Sequence, residues 1–124
     1  MEKSKRKELI EFYKQMDTMM GVYQIRNNMN GKIFISSFAN LKSKWLTIRM
    51  QLDMGRHPNS ELQEDWNELG GNAFSYKVLE ERKQEADMDV KWELQQMEKA
   101  WLAKLEPYDE RGYNKPPKEP LTKG

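Results

Sequence analysis

Glu98 is the residue most out of keeping with its neighbours. It stands four residues after Leu94 and three before Trp101, on or beside the apolar stripe of a helical segment. A carboxylate held there requires a cation, a hydrogen-bond donor or a metal ion; otherwise it lies at the stripe's edge and pairs with a surface lysine. His57 is the only histidine, and it falls in a loop with no second ligand close in sequence. It could titrate near neutral pH, but it does not define a metal site by itself. There is no cysteine, which excludes a thiolate nucleophile, a thiolate metal site and a disulfide framework. Six basic residues (Arg26, Lys32, Lys42, Lys44, Arg49 and Arg56) crowd into positions 21–57 against a single acid, Asp53. Such a block could contact several phosphates and give salt-dependent affinity.

The chain that must position these groups has 124 residues, enough for one domain with one core. Its apolar share is 37% and its charged share 33%, wetter than average, yet four Trp, five Tyr and four Phe supply large core side chains. The net charge of +1 speaks against a nucleic-acid partner only as a total. Positions 61–110 hold 14 acids and 6 bases, so the sum conceals opposed blocks. No apolar run approaches membrane-spanning length, and the first 20 residues are basic without an apolar stretch. The expectation is a soluble, cytoplasmic protein without a membrane partner.

Periodicity predicts an amphipathic helix over 5–19, with Leu9, Phe12, Met16 and Met19 on one face. Gly21 to Arg26 and Lys32 to Ser37 read as two antiparallel strands joined by an Asn-rich turn ending in Asn30-Gly31. Asn40 can cap a helix running to about Leu52, with Leu41, Trp45, Ile48 and Leu52 inward. Ser60 and Gln63 fit a capping box for a shorter helix, with Leu62, Trp66 and Leu69 inward and Gly70-Gly71 as the stop. Phe74, Tyr76 and Val78 alternate as a third strand, followed by a charged connector over 81–87. A long helix runs from about Met88 to Leu105 on the stripe Val90, Leu94, Met97, Trp101 and Leu105. The fold class is α+β: a small three-stranded antiparallel sheet covered by helices, with an added N-terminal helix. Three regions follow: an N-terminal helix over 1–20, a domain over 21–114 and a Pro/Lys-rich tail over 115–124.

Gly21-Val22-Tyr23, then ten residues, then Phe34-Ile35-Ser36 resembles the paired strands of the GIY-YIG endonuclease family. Further elements are similar in order: Asn30-Gly31-Lys32, the Leu41 to Trp45 segment, Met54-Gly55-Arg56-His57, Leu62 to Asn67, Asn72-Ala73-Phe74, Glu98 with Trp101, and Gly112-Tyr113-Asn114. The resemblance spans roughly residues 20–114. It implies metal-assisted phosphodiester hydrolysis, in which a cation and a metal stabilise the charged phosphate and a proton acceptor activates water.

Carried onto this chain, the resemblance makes Tyr23 the first strand tyrosine, Glu98 the carboxylate for Mg²⁺ or another divalent cation, His57 a loop histidine and Asn114 the terminal asparagine. Three positions depart. The second tyrosine is Phe34, without a hydroxyl. The glycine after it is Ser36. The helix arginine is Lys44, which keeps the charge but loses the planar fork. One turn on, Ile48 replaces a histidine of several members. The catalytic candidates are therefore Tyr23, Lys44 and His57, with Glu98 for metal. The nucleic-acid candidates are Arg26, Lys32, Lys42, Arg49, Arg56 and Asn114. Losing one electrostatic stabiliser costs about 10²–10³-fold in rate. The expectation is a nucleic-acid-binding module, for DNA in the first instance, with a degenerate site and weak or no cleavage. An active metal-dependent DNA endonuclease and a protein-interaction module on the same fold stay open as alternatives. The N-terminal helix offers a surface for a protein partner or a homodimer.

Overall fold

The computed structural model describes residues 18–117. The expected helix over 5–19 lies outside the described residues except for its end, where Met19 is already in a strand. Strand β1 spans Met19–Asn27, β2 Ile33–Phe38 and β3 Phe74–Lys83, in the sheet order β2-β1-β3 with both pairings antiparallel. Helix α1 spans Lys44–Asp53, α2 Ser60–Leu69 and α3 Val90–Leu105. The α+β class and the three-stranded antiparallel sheet are as expected.

Alternation along β1 sends Met20 and Val22 to one face and Tyr23 and Ile25 to the other, with a separate core on each. Ile48 and Leu52 of α1 and Leu62 and Trp66 of α2 pack with Tyr23 and Ile25. Met97, Leu94 and Trp101 of α3 pack with Met20, Val22 and Ile35. The sheet is thus buried on both faces, and most of its inward positions are β-branched or aromatic.

Between β1 and β3 the register shifts at Val22/Tyr23: Val22 faces Glu80 while Tyr23 faces Val78. Leu79 is the extra residue of a β-bulge. Leu79 joins the α3 core, and the Glu80 carboxylate beside it accepts the Trp101 indole N–H at 2.8 Å. Gly21 lies just before the bulge, where a Cβ would fall 2.0 Å from the Glu80 carbonyl oxygen. No side chain fits there, so the glycine before Val22-Tyr23 serves the sheet's close approach.

Several boundaries differ from the sequence reading. Strand β1 opens two residues earlier than Gly21, and β3 continues through Lys83, absorbing the start of the expected connector. Helix α1 begins at Lys44 instead of after Asn40. Asn40 uses its side chain to accept the Lys42 N–H at 3.1 Å, while the Leu41 N–H donates to Met19 at 2.9 Å. That anchor holds the segment against β1, and the chain turns through Ser43 at φ 56° before the helix can start. For α2 the cap is Asn59, not Ser60: its side chain accepts the Leu62 N–H at 2.9 Å and donates to the Tyr113 carbonyl at 2.8 Å. Leu69 was expected inward but is 40% exposed, at the end of the helix beside Gly70.

Candidate functional site

Strand β2 organises the site. Its residues Phe34, Ser36 and Phe38 alternate on the face shared with Tyr23, and Ser37 points to the α3 side. Tyr23 stands directly opposite Ser36 and is only 5% exposed. Burial pushes its pKa up to about 12; the Ser36 hydroxyl opposes this, and Tyr76 and the Glu98 charge reinforce it. The phenol therefore keeps its proton at neutral pH. It can donate a hydrogen bond, but it is not a resident base.

Glu98 comes from α3, half-buried, and its Oε1 accepts the Ser37 hydroxyl at 2.5 Å. The carboxylate is thus held by a donor on the strand, the second of the ways open to a carboxylate beside an apolar stripe. A depression of about 380 Å³ lined by Gln95, Glu98, Lys99 and Leu102 leads to it. Among the described residues no three His, Cys, Asp or Glu side chains converge on one point. The donor set is a single carboxylate with one oxygen, Oε2, not engaged by Ser37. Such a set suits Mg²⁺, which keeps several waters and takes one or two carboxylates.

Lys44 opens α1 and sets its ammonium 3.5 Å above the centre of the Phe38 ring. Partial burial lowers its pKa. His57 is buried beside Phe34, edge-on with ring centres 5.4 Å apart. Burial lowers its pKa as well, and the Lys44 charge acts in the same direction. The Asn59 N–H donates to its Nδ1 at 3.0 Å, which leaves Nε2 to carry the proton of the neutral ring. His57 is therefore arranged to donate from Nε2 more than to accept a proton. Phe34 and Phe38 thus form the floor beneath two cationic or donor groups, and Tyr23 lies between them in register with Ser36.

The surface candidates divide. Lys42, Arg49 and Arg56 are exposed on and around α1, with the Arg49 guanidinium 5.5 Å from the Trp45 ring centre. Arg26 falls on the opposite face of the sheet from Tyr23 by strand alternation. Lys32 is ion-paired with Glu61 at 2.5 Å. Asn114 has both ends of its amide engaged: Oδ1 accepts the Ile35 N–H at 2.9 Å and Nδ2 donates to the Ile35 carbonyl at 2.8 Å. Gly112, where a Cβ would meet the Ile33 carbonyl oxygen at 2.5 Å, lets this segment run alongside β2. The Tyr113 N–H donates to Ile33 at 2.8 Å. The Tyr113 hydroxyl donates to Asp65 at 2.6 Å and accepts from Asn27 at 3.0 Å. Gly112-Tyr113-Asn114 therefore closes the outer edge of β2 as far as Ile35.

The sequence reading gives Ser37, Phe38, Gln63 and Tyr76 no part in the site. The Gln63 side chain accepts the His57 N–H at 3.0 Å and donates to the Leu52 carbonyl at 2.7 Å, so it fixes the histidine loop between α1 and α2. Only the period-two pattern of β2 could have placed Phe38 with Phe34, and only that pattern put Ser37 towards Glu98. A groove of about 620 Å³ adjoins Phe34, Tyr113 and Asn114 and contains none of Tyr23, Lys44 and Glu98.

The architecture has known counterparts. The catalytic domain of the homing endonuclease I-TevI superposes with a TM-score of 0.62 at 30% identity, covering 77% of this chain and 96% of that domain. This chain belongs to the GIY-YIG endonuclease family. A glutamate-to-alanine variant of the I-TevI catalytic domain gives a TM-score of 0.64 at 29% identity, covering 77% of this chain and 92% of that one. Intron-associated endonuclease 1 of Enterobacteria phage T4 is 31% identical over 85 residues, 68% of this chain and 32% of the phage protein. The chain thus spans about a third of that relative's length. No family model matches the chain. Among the described residues no helix is long and apolar enough to cross a membrane.

Proposed function

We propose that this GIY-YIG protein binds nucleic acid, DNA in the first instance, through Tyr23, Lys44 and Glu98, which flank the end of edge strand β2 from the two faces of the sheet, and cleaves phosphodiesters weakly with a divalent cation. The reading is supported by relatives described as intron-associated and homing endonucleases. The observation that carries it is the placement of Tyr23 and Glu98 at adjacent residues of β2: Tyr23 stands opposite Ser36, and the next residue, Ser37, donates its hydroxyl to Glu98 at 2.5 Å. A phosphate seated there would meet a phenol donor, a carboxylate and the nearby Lys44. Glu98 would hold the cation, which when bound offsets the charge that accumulates on the attacked phosphate. His57 Nε2 would supply a further donor.

Weakness follows from what lies beside Tyr23. Phe34 puts an apolar ring against His57, and the Lys44 ammonium rests on Phe38 with no planar fork to grip two oxygens. The test is incubation with plasmid and single-stranded DNA in Mg²⁺ or Mn²⁺ beside a Glu98→Ala control, together with a binding titration across salt. Slow cleavage that disappears in the control is expected. Rapid multiple-turnover cleavage would overturn the weak-site reading in favour of an active endonuclease. Absence of binding at low salt would move weight to a protein-interaction module.

A further inference from the structure

Tyr76 is unexplained by the fold. Among the described residues its hydroxyl is the one buried side-chain polar atom without a hydrogen-bond partner. An orphaned hydroxyl of this kind is destabilising, because the group has lost water and gained nothing. The ring itself is well held: it stacks on Trp45 with centres 5.2 Å apart and planes 13° apart. A phenylalanine would make the same stack without the unpaired oxygen.

The register shows what the hydroxyl is near. Phe34 and Tyr76 both stand opposite Ile25, one on β2 and the other on β3, so the three residues form one cross-strand row. Tyr23 belongs to the next row on the same face, between Ser36 and Val78. Phe34 and Tyr76 are therefore both diagonal neighbours of Tyr23, one on each side, as Phe38 is further along β2. Phe34 has no hydroxyl to offer. The Tyr76 ring lies 5.6 Å from the Tyr23 ring, tilted by 33°. At that separation the two phenols are neighbours on one face of the sheet.

We propose that Tyr76 is a positioning residue for Tyr23: its hydroxyl donates to the Tyr23 oxygen and so directs the Tyr23 O–H outward, towards the phosphate. This rests on the nuclease-like reading of the site and adds to it a supporting phenol supplied from β3. In the free protein the hydroxyl is unpartnered while Tyr23 keeps its proton; the pair closes as the Tyr23 oxygen gains negative charge, on ionisation or against a bound phosphate. Burial makes Tyr76, like Tyr23, hard to ionise, so it stays a donor.

The test uses the whole chain carrying fluorotyrosine, which brings phenol ionisation into a pH range where the fold survives, followed by ¹⁹F NMR with single Tyr→Phe variants for assignment. A donor lost from a phenolate makes that phenol harder to ionise. Tyr76→Phe is therefore expected to make Tyr23 about tenfold harder to ionise. Charge repulsion alone predicts the opposite sign, so a Tyr23 titration unchanged or shifted to lower pH would overturn the proposal. This readout needs no nucleic acid and is separate from the functional reading. In the Mg²⁺ cleavage assay Tyr76→Phe is expected to lose about 10–100-fold, as for other supporting groups, while its denaturation midpoint holds or rises. Phe34→Tyr in the Tyr76→Phe background should restore part of the loss. Wild-type cleavage by Tyr76→Phe, with Glu98→Ala inactive, would sink the role of Tyr76 and leave the site reading intact. Absence of cleavage in every variant, with the Tyr23 titration shifted as expected, would sink the site reading and keep the phenol pair.

Discussion

Asn114 offers the sharpest separation of a structural role from a binding role. In the sequence it resembles a site asparagine, whereas in the structure its amide closes two backbone hydrogen bonds on fully buried Ile35. Asn114→Ala removes both and orphans one N–H and one carbonyl oxygen. Each unsatisfied buried group costs about 1–3 kcal/mol. Because β2 is an edge strand, water can reach part of the vacated space, which places the expected loss nearer 2–4 kcal/mol, about two groups at the lower part of that range. For a domain of this size 1 kcal/mol corresponds to about 4–8 °C in Tm, so the melting midpoint should fall by at least about 8 °C. Asn114→Asp separates the two bonds. An ionised carboxylate still accepts from the Ile35 N–H but cannot donate to its carbonyl, so a loss between wild type and alanine is expected. The assay is urea denaturation followed by tryptophan fluorescence, beside a nucleic-acid titration under conditions where each variant is folded. If Asn114→Ala melts within a degree or two of wild type while binding is lost, the clamp is not structural and the reasoning fails.

Other outcomes follow from the same geometry. Because burial lowers the His57 pKa, its unfolded form binds a proton that the folded form resists. Stability should therefore be constant above the ordinary value of 6.5 and fall as pH drops below it, and His57→Asn should flatten that slope in pH-dependent urea midpoints. Phe34→Tyr returns a hydroxyl beside Tyr23 and should raise Mg²⁺-dependent cleavage by about tenfold or more, read from single-turnover rates. Gly21→Ala drives a Cβ into the Glu80 carbonyl and should destabilise by about 1–3 kcal/mol or more, measured by thermal melting. With Lys42, Lys44, Arg49 and Arg56 as the contacting cations, the log–log salt slope for duplex binding should be about −3 to −4, shallower than the roughly −5 of all six basic residues.

Much of this was readable in the sequence because the signals were local and agreed. The Asn-Gly turn, the two short β-rich runs and the α3 stripe from Val90 to Leu105 each carry their own periodicity, and each is where it was expected. Failures occur where a tertiary bond outbids a local one. Asn59 displaces Ser60 as a cap because its amide can also reach the Tyr113 carbonyl, 54 residues away. Gln63 fits a capping box by spacing, but the His57 N–H and the Leu52 carbonyl take its amide. The α1 start moved because Leu41 is tied to Met19, a contact between segments that no window of sequence contains. The bulge at Val22/Tyr23 leaves no mark except Gly21, whose requirement comes from the Glu80 backbone.

The basic block shows the same principle in the site itself. Summed along the chain, six cations against one acid look like a single phosphate-binding surface. Folding separates them. Arg26 turns to the α3 face, and Lys32 is neutralised by Glu61 from the acidic block that follows. The cations that stay with Tyr23 are those on or beside α1, and their positions depend on Phe38, Trp45 and the histidine loop more than on charge. Sign and number can be read from composition, whereas direction depends on strand alternation and on which acid folds back. On the proposed reading, a site with Phe34 in place of a phenol and Lys44 in place of a fork would owe its electrostatic strength to placement. Lys44 is held over an aromatic ring, and Glu98 is held by a serine one residue from the partner of Tyr23.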